Sequence, residues 1–299
     1  MSDHPAHVGV IGLGAMGAPI ARNLARAGLL AAVWNRTATR AAALADELGV
    51  RQAPTPEALA GQCDSILTCV AADADLLEVV DRLLPGLAGD RLLIDTSTVQ
   101  PATAIEVARR LAQVGCAFLD APVSGGVEGA RQGTLAVMVG GEAATLERAR
   151  PVLMAIGQRI AHLGPIGSGQ ATKAVNQLMA AGINQAVSEA LAFAEAQGLP
   201  LDRVIEVLGS GAAGNWFLEH RGPTMVRGEY APGFRLALHH KDLGICQAIA
   251  ARDGVSLPLV EMTLIHYRRL LDAGHGDEDI SALLREKRRL FGQRPGPGQ

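Results

Sequence analysis

The stretch HVGVIGLGAMGAPIARNLA, residues 7–25, decides the fold of the first half of the chain. Its apolar start predicts a buried strand, and the residues after the glycines have the composition of a helix. Gly12, Gly14 and Gly17 follow the spacing G-x-G-x-x-G between the two. In that context the first glycine permits a tight turn, the second lets the backbone approach a pyrophosphate, and the third lets helix and strand pack closely. The stretch therefore predicts a dinucleotide site at the start of a helix, where free N–H groups hold an anion.

Apolar runs continue to alternate with helical patterns up to residue 162. Such alternation predicts a parallel sheet covered by helices on both faces. The expected strands are 7–11, 30–34, 65–70, 91–94, 117–119, 135–139 and 159–162, and the expected helices are 15–27, 38–48, 73–84, 102–114 and 143–154.

The pattern changes after Gly164 and Pro165. Residues 170–197 contain no proline and predict one long helix. Apolar residues occupy most of its faces, which predicts that this helix is buried. Further helices are expected at 202–208, 236–252, 259–273 and 279–291. We therefore expect a dinucleotide-binding α/β domain (1–164), an all-helical substrate and dimerisation domain (165–292) joined to it by the long helix, and a disordered tail (293–299).

Composition excludes several classes of protein. Hydrophobic residues make up 48% and charged residues 19% of 299 residues, and the net charge is -3, so neither disorder nor a nucleic-acid partner is expected. No basic, apolar leader opens the chain, and no run reaches the ~18 apolar residues of a membrane helix. Four scattered cysteines are typical of reduced thiols, so we expect a cytoplasmic protein. The eight histidines lack metal-site spacing, and no metal is expected.

The end of the second predicted strand bears on cofactor choice. An NAD site usually carries an acid there to accept hydrogen bonds from the ribose, whereas this chain has Asn35, Arg36 and Thr37. A guanidinium can pair with a 2′-phosphate, so the sequence favours NADP and leaves NAD possible. The alternative is that Arg36 is a solvated surface charge.

A glycine-rich segment follows the strand at 117–119. It reads Asp-Ala-Pro-Val-Ser-Gly-Gly, residues 120–126. Small residues with free N–H groups can form a nest for an anion, and Ser124 adds a hydroxyl, so a small carboxylate is the expected guest. The alternative is an ordinary glycine turn.

The long helix carries a polar stripe of Lys173, Asn176, Gln177 and Asn184. These spacings place the four side chains on one side of a helix. Buried polar groups need partners, and an interdomain cleft in which Lys173 meets the substrate would supply a reason. Partial burial lowers a lysine pKa, which suits acid–base work near neutrality. The alternative is a lysine that only caps a domain interface.

Together these motifs resemble the β-hydroxyacid dehydrogenase family. Its members include 3-hydroxyisobutyrate dehydrogenase, tartronate semialdehyde reductase, and glyoxylate or succinic semialdehyde reductases. The resemblance covers about residues 7–291 and rests on four motifs in order: the turn at 12–17 with Asn23-Leu24, the segment 120–126, Gly167-Ser-Gly169 with Lys173 and Asn176, and Lys241-Asp242-Leu243. It implies a Rossmann domain joined by a long helix to a helical domain, assembled as a homodimer or homotetramer.

The resemblance also implies roles for individual residues. Lys173 would be the general acid in reduction and the base in oxidation, with Asn176 holding it or bonding the reacting oxygen. Ser124, Gly125 and Gly126 would grip the substrate carboxylate. Asp242 would support Lys241, which would reach the cofactor or close the site. The implied cofactor-binding residues are Gly12, Leu13, Gly14, Ala15, Met16, Gly17, Asn35, Arg36, Thr37, Val70, Thr96 and Lys241.

The function expected from the resemblance is an NADP-dependent interconversion of a small β-hydroxyacid and its semialdehyde. Tartronate semialdehyde, 3-hydroxyisobutyrate, succinic semialdehyde, glyoxylate and serine-like compounds all fit. Imine reductases share the fold and an Asn-Arg-Thr cofactor end, but generally lack the lysine found here at 173. Decarboxylating phosphogluconate dehydrogenases usually have longer helical domains. A non-catalytic NADP-binding protein is the alternative from a different class.

Overall fold

The computed structural model describes residues 7–87 and 89–292, and packing divides the chain into two units, Met1–Lys173 and Ala174–Gln299. The expected disordered tail, 293–299, lies outside the described residues. The first unit holds a sheet of nine strands among the described residues: β1 (Val8–Ile11), β2 (Leu30–Trp34), β3 (Arg51–Gln52), β4 (Ser65–Thr68), β5 (Leu92–Asp95), β6 (Ala117–Asp120), β7 (Val123–Ser124), β8 (Leu135–Gly140) and β9 (Gly157–Gly164).

Helices connect these strands. They are α1 (Gly17–Arg26), α2 (Ala38–Leu48), α3 (Pro56–Ala60), α4 (Asp73–Leu83), α5 (Pro101–Ala112), α6 (Gly126–Gln132) and α7 (Ala143–Ile156). The spatial order of the strands is β3-β2-β1-β4-β5-β6-β8-β7, with β9 beside β8. β1 to β6 pair in parallel, as βαβ connections require. The predicted Rossmann-type α/β arrangement is therefore confirmed.

One part of the sheet departs from the expected all-parallel arrangement. β8 runs antiparallel to both β6 and β7, and then pairs in parallel with β9. Only the short β7 and α6 separate β6 from β8, whereas a parallel return usually needs a long crossover. The apolar pattern of β8 cannot reveal its direction, because a buried strand looks alike in both orientations.

Two apolar layers cover the faces of this sheet. Side chains alternate along β5, so Leu92 and Ile94 enter one layer while Leu93 enters the other. The first layer includes Leu24 of α1, and the second includes Val80 of α4. The apolar layers cover the two faces of the sheet, and the polar residues described below lie at the carboxyl ends of the parallel strands.

The remaining helices are α8 (Ser168–Ala196), α9 (Leu201–Gly209), α10 (Trp216–Val226), α11 (Leu236–Arg252), α12 (Pro258–Asp272) and α13 (Leu283–Leu290). α8 begins in the first unit and continues into the second, which is otherwise helical, as predicted. The sequence did not predict α10, because Pro223 and Gly222 lie inside it. A 3-10 turn, Ile280–Ala282, replaces the start of the helix expected at 279–291. Within the described ranges no helix combines the length and hydropathy that a bilayer crossing requires.

The expectation that α8 is buried all round is wrong within a single chain. Leu191 and Ala181 are buried in the helical core, whereas Val175 is 58% exposed and Met179 is 62% exposed. The exposed pair lies one turn apart on the same face of α8. The sequence pattern shows that a helix face is apolar, but it does not show whether other residues of the same chain bury that face.

Candidate active site

The glycine turn after β1 has the shape that a dinucleotide phosphate requires. Gly12 has a φ of 90°, and a Cβ there would lie 2.2 Å from the Cys69 carbonyl oxygen. A Cβ at Gly17 would lie 1.8 Å from the Gly12 carbonyl oxygen. Around Gly14, in contrast, no described atom outside Gly14 and its two chain neighbours lies within 4 Å of where a Cβ would stand. The chain itself requires glycine at 12 and 17, and the space beside Gly14 fits a pyrophosphate.

Asn35 holds this turn to the end of β2. Its Oδ1 accepts a hydrogen bond from the Leu13 N–H at 2.9 Å, and its Nδ2 donates to the Thr37 carbonyl at 3.1 Å. An aspartate could replace only the first of these bonds. Asn35 therefore fixes the backbone of the glycine turn to the end of β2.

Arg36 reaches a carboxylate from another element. Its Nη1 lies 3.0 Å from Oδ1 of Asp75, in the first turn of α4. The Arg36 side chain is 75% exposed, and that of Asp75 is 27% exposed. The structure therefore places an acid beside the end of β2 although the β2 sequence supplies none there.

The segments that follow β4 and β5 bind each other through hydroxyl groups. Thr96 is buried, and its hydroxyl donates to the Thr68 carbonyl at 2.7 Å. The Val70 N–H donates to Ser97 Oγ at 2.9 Å. Val70 and Thr96, both implied by the resemblance to bind the cofactor, thus belong to one hydrogen-bonded pair of segments. The Thr96 hydroxyl donates its proton to this carbonyl group at the end of β4.

Asp95, at the end of β5, is an acid buried beneath these segments. Its Oδ1 accepts hydrogen bonds from Thr68 Oγ1 at 2.7 Å and Ser97 Oγ at 2.6 Å. Oδ2 is buried and has no hydrogen-bond partner among the described residues. Burial raises the pKa of Asp95 to about 6, against the opposing hydrogen bonds from Ser97 and Thr68. Asp95 can thus take up a proton closer to neutral pH than an ordinary aspartate does.

The expected substrate loop is a strand, a glycine turn and a helix. Ser124 ends β7 and pairs with Ala136 of β8, and α6 begins at Gly126. Gly125 has a φ of 134° and Gly126 a φ of 62°, values that residues other than glycine rarely adopt. Sequence pattern missed β7 and α6, because a two-residue strand and a seven-residue helix are too short to show a period.

Asp120 binds the first turn of α8. Its Oδ1 accepts the Gly167 N–H at 2.8 Å, and its Oδ2 accepts the Gln170 N–H at 2.9 Å. Burial raises the pKa of Asp120, and these backbone donors oppose the rise. A Cβ at Gly169 would lie 2.4 Å from the Met138 carbonyl oxygen and 2.9 Å from Asp120 Oδ2. The glycines of the Gly167-Ser-Gly169 motif thus let the helix start sit on the carboxylate.

Gln170 fixes the same turn of α8 to the segment after β5. Its Oε1 accepts the Val99 N–H at 3.1 Å, and its Nε2 donates to the Ser97 carbonyl at 2.8 Å. Lys173 follows three residues later, at 7% exposure. Residues three apart share a face of a helix. The Lys173 backbone is therefore held by the ends of β5 and β6.

In the second unit, Asn176 heads a chain of polar contacts. Its Nδ2 donates to Gln177 Oε1 at 2.7 Å, and Gln177 Nε2 donates to Asp242 Oδ2 at 2.6 Å. Lys241 Nζ lies 2.9 Å from Asp242 Oδ1. Asn176, Lys241 and Asp242 are thus linked through Gln177, for which the sequence indicated no role of its own.

Asn184, the last residue of the predicted stripe, has a different task. Its Nδ2 donates to the Tyr267 hydroxyl at 2.9 Å and to the Ile280 carbonyl at 2.8 Å. The Tyr267 hydroxyl also contacts His239 Nδ1 at 3.0 Å. Asn184 therefore satisfies polar groups inside the helical core. Over the described ranges, no group of three or more His, Cys, Asp or Glu side chains is placed to hold a metal ion.

Models of known families match almost the whole described chain. Residues 7–164 match the NAD binding domain of 6-phosphogluconate dehydrogenase, and residues 167–286 match the model described as NAD-binding of NADP-dependent 3-hydroxyisobutyrate dehydrogenase. The chain belongs to the β-hydroxyacid dehydrogenase family. As a β-hydroxyacid dehydrogenase it is an NAD(P)-dependent oxidoreductase, which confirms the enzyme class that the motifs predicted.

Two β-hydroxyacid dehydrogenase relatives show the range of activities. The chain is 35% identical to an NAD-dependent L-serine dehydrogenase of Pseudomonas aeruginosa, over 92% of this chain and 96% of the relative. It is 37% identical to 2-hydroxy-3-oxopropionate reductase of Escherichia coli, over 84% and 86% of the two chains.

Solved structures agree with the fold. Mycobacterium tuberculosis 3-hydroxyisobutyrate dehydrogenase with L-serine superimposes with a TM-score of 0.86 at 33% identity, over 95% of this chain and all of that one. Psf3 in complex with NADP+ and 2-OPP gives a TM-score of 0.84 at 26% identity, over 93% and 99% of the two chains. An imine reductase from Pseudomonas sp. is 21% identical with a TM-score of 0.62, which shows a shared fold alone.

Proposed function

We propose that this β-hydroxyacid dehydrogenase prefers NADP and interconverts a small β-hydroxyacid and its semialdehyde, with Lys173 as general acid and base. The observation that carries the proposal is the burial of Lys173 on the turn of α8 that Asp120 and Gln170 hold. A buried lysine on a fixed backbone suits proton transfer, because that step needs a donor with little freedom of position.

Each residue then has a separate task. Nicotinamide, when bound, supplies or accepts the hydride. Lys173 gives a proton to the reacting oxygen in reduction and removes it in oxidation. The serine hydroxyl of Ser124 and the backbone N–H groups of Gly125 and Gly126 hold the substrate carboxylate. Asn176 orients the reacting oxygen, and its contact with Gln177 limits the rotation of its own amide.

The substrate class rests on the relatives. L-serine occurs in the name of the Pseudomonas aeruginosa relative and accompanies the Mycobacterium tuberculosis enzyme in its solved structure, and 2-hydroxy-3-oxopropionate is the substrate named for the Escherichia coli relative. L-serine, 3-hydroxyisobutyrate and the tartronate system each carry a carboxylate with a hydroxyl or aldehyde on the β-carbon. That shared geometry is the one that a carboxylate grip at 124–126 and an amine at 173 would select.

NADP preference rests on Arg36, whose guanidinium can pair with a 2′-phosphate. The description of the family model matched by residues 167–286 and the NADP+ complex of Psf3 support the proposal. The Pseudomonas aeruginosa relative is NAD-dependent, so NAD remains in the proposal as a second cofactor.

The expected assembly is a homodimer or homotetramer. Such an assembly would cover the exposed apolar face of α8 that carries Val175 and Met179. A cytoplasmic location suits the four cysteines, none of which forms a disulfide within the part of the chain that the structure describes. A domain boundary between 164 and 165 agrees with the division between the two matched family models.

The test replaces Lys173 by Met and by Ala. We expect turnover to fall by about 10²–10⁴-fold in both variants, since that is the usual contribution of acid–base catalysis. The dissociation constant for NADP+ should stay within about twofold, because the glycine turn is unchanged. Added methylamine should restore part of the activity of Lys173→Ala, since its amine can occupy the vacated space, and should not restore Lys173→Met. Full activity without Lys173 would contradict the assigned role.

The substrate panel separates the alternatives. L-serine, 3-hydroxyisobutyrate, tartronate semialdehyde, succinic semialdehyde and glyoxylate are assayed with both cofactors, beside a cyclic imine with NADPH. Turnover of the imine alone would favour an imine reductase. Tight NADP+ binding without turnover of any compound would favour a non-catalytic binding protein.

A further inference from the structure

We propose that Asp75 sets the balance between NADP and NAD, by supplying from α4 the acidic group that the end of β2 lacks. The inference rests on the proposed function, in which Arg36 faces the adenosine 2′ position. It goes further by assigning to that position an acid that lies 39 residues away from Arg36 in sequence.

The geometry of the pair carries the inference. Asp75 Oδ1 lies 3.0 Å from Arg36 Nη1, and the carboxylate is 27% exposed. Asp73, the other acid in the first turn of α4, has different partners: its Oδ1 accepts the Gln100 N–H at 2.8 Å and the Thr103 hydroxyl at 2.6 Å. Asp75 therefore faces the end of β2, while Asp73 binds the start of α5.

Asp75 carries its carboxylate in the first turn of α4, beside the Arg36 guanidinium. The free N–H groups and the dipole of a helix N-terminus attract anions. An acid is consequently present where NAD sites usually carry one on β2 itself.

The carboxylate has opposite effects on the two cofactors. Toward NAD it can accept hydrogen bonds from the ribose hydroxyls, and it orients the guanidinium beside them. Toward NADP it repels the 2′-phosphate and occupies one arm of the guanidinium fork, although other N–H donors of Arg36 remain for the phosphate. The wild-type site should therefore accept both cofactors with a modest preference for NADP.

The experiment measures binding without nicotinamide or turnover. Dissociation constants of ADP-ribose and 2′-phospho-ADP-ribose are determined calorimetrically for the wild-type protein and for Asp75→Asn. The variant should bind the phosphorylated ligand about fivefold more tightly and ADP-ribose about threefold more weakly, the scale of a partly exposed charge pair. The ratio of the two constants should thus shift by about fifteenfold, the product of the two changes.

Glu78→Gln is the matched control. Glu78 lies three residues further along α4 and contacts Arg82, so its removal changes net charge equally without touching Arg36. We expect it to shift each constant by less than about twofold, because the exposed Glu78 carboxylate pairs with Arg82 and an exposed pair contributes little. A ratio for Asp75→Asn within twofold of wild type, or a Glu78→Gln shift as large as that of Asp75→Asn, would overturn the role of Asp75.

Arg36→Gln separates this inference from the proposed function. It should weaken 2′-phospho-ADP-ribose by about tenfold or more, the loss expected for a charged hydrogen-bond partner of phosphate. Unchanged affinity of Arg36→Gln for that ligand would refute the assignment of the NADP preference to Arg36. The ratio measured with Asp75→Asn decides the role of Asp75 in either case.

Discussion

Replacing Gly169 by Ala tests whether the start of α8 must sit on the carboxylate of Asp120. The added Cβ would lie 2.4 Å from the Met138 carbonyl oxygen, 2.6 Å from the Asp120 carbonyl oxygen and 2.9 Å from Asp120 Oδ2. Two of these atoms belong to backbone in the sheet, so the methyl group cannot be accommodated by a side-chain rotation. The first turn of α8 must move instead.

The expected cost follows from overpacking. Inserting a methyl group into a close-packed site costs about 1–3 kcal/mol of the free energy of unfolding. For a chain of this size each kcal/mol lowers the melting temperature by roughly 2–4 °C. Lys173 lies four residues further along the displaced helix, and a shift of about 1 Å in a catalytic group costs about 10²-fold in rate. We therefore expect kcat/KM to fall by about 10- to 100-fold while the dissociation constant for NADP+ stays within twofold.

Gly182→Ala is the control on the same helix. The nearest atom to its Cβ would be Leu259 Cδ1 at 3.5 Å, an ordinary contact. Alanine is favoured over glycine inside a helix, so this variant should be unchanged or up to about 1 kcal/mol more stable. Melting temperatures from circular dichroism and kcat/KM are measured for both variants. If Gly169→Ala had the same melting temperature and the same kcat/KM as Gly182→Ala, the close fit between α8 and β6 would be refuted.

Asp95, at the end of β5, and Asn35, after β2, are the subjects of two further predictions. Because the folded pKa of Asp95 is raised to about 6, stability from this group is present below its unfolded pKa and is lost as pH rises through 6. As pH rises from 4 to 7.5, the free energy of unfolding of Asp95→Asn should therefore increase by about 1–3 kcal/mol relative to that of the wild type, as measured by urea unfolding. A difference between the two proteins that does not change with pH would contradict a buried charge at Asp95. Asn35→Ala removes the acceptor for the Leu13 N–H and should weaken NADP+ and NAD+ equally, by about fivefold. A loss confined to one cofactor would show that Asn35 contacts the ribose instead.

The sequence predicted the regular elements well where local signals mark both ends. β2, α2 and α11 have the bounds that were expected from apolar pattern alone. α2 begins after Thr37 and is capped at its C-terminus by Gly49, whose φ of 65° suits glycine. Strand direction was not readable in this way, because the same apolar run serves a parallel or an antiparallel neighbour.

The candidate site was predictable in its residues and not in their connections. The structure requires glycine at 12 and 17, as their spacing indicated, and the approach of a pyrophosphate to Gly14 remains a prediction. The bond from Asp120 to Gln170 spans 50 residues and ends on a backbone N–H, which no side-chain pattern reveals. The pair of Arg36 and Asp75 likewise depends on which helix starts beside β2. The roles of the catalytic and substrate-binding residues remain predictions.

The bond between Asp120 and the start of α8 also has a consequence for folding. The carboxylate belongs to a strand whose register depends on β5, and its N–H partners lie 47 and 50 residues later. Contacts of such sequence separation form late, after local helices have begun to appear. The leading turn of this helix therefore acquires its native anchor only once the sheet has assembled, and Lys173, one turn further along, is fixed in its native position only after that step.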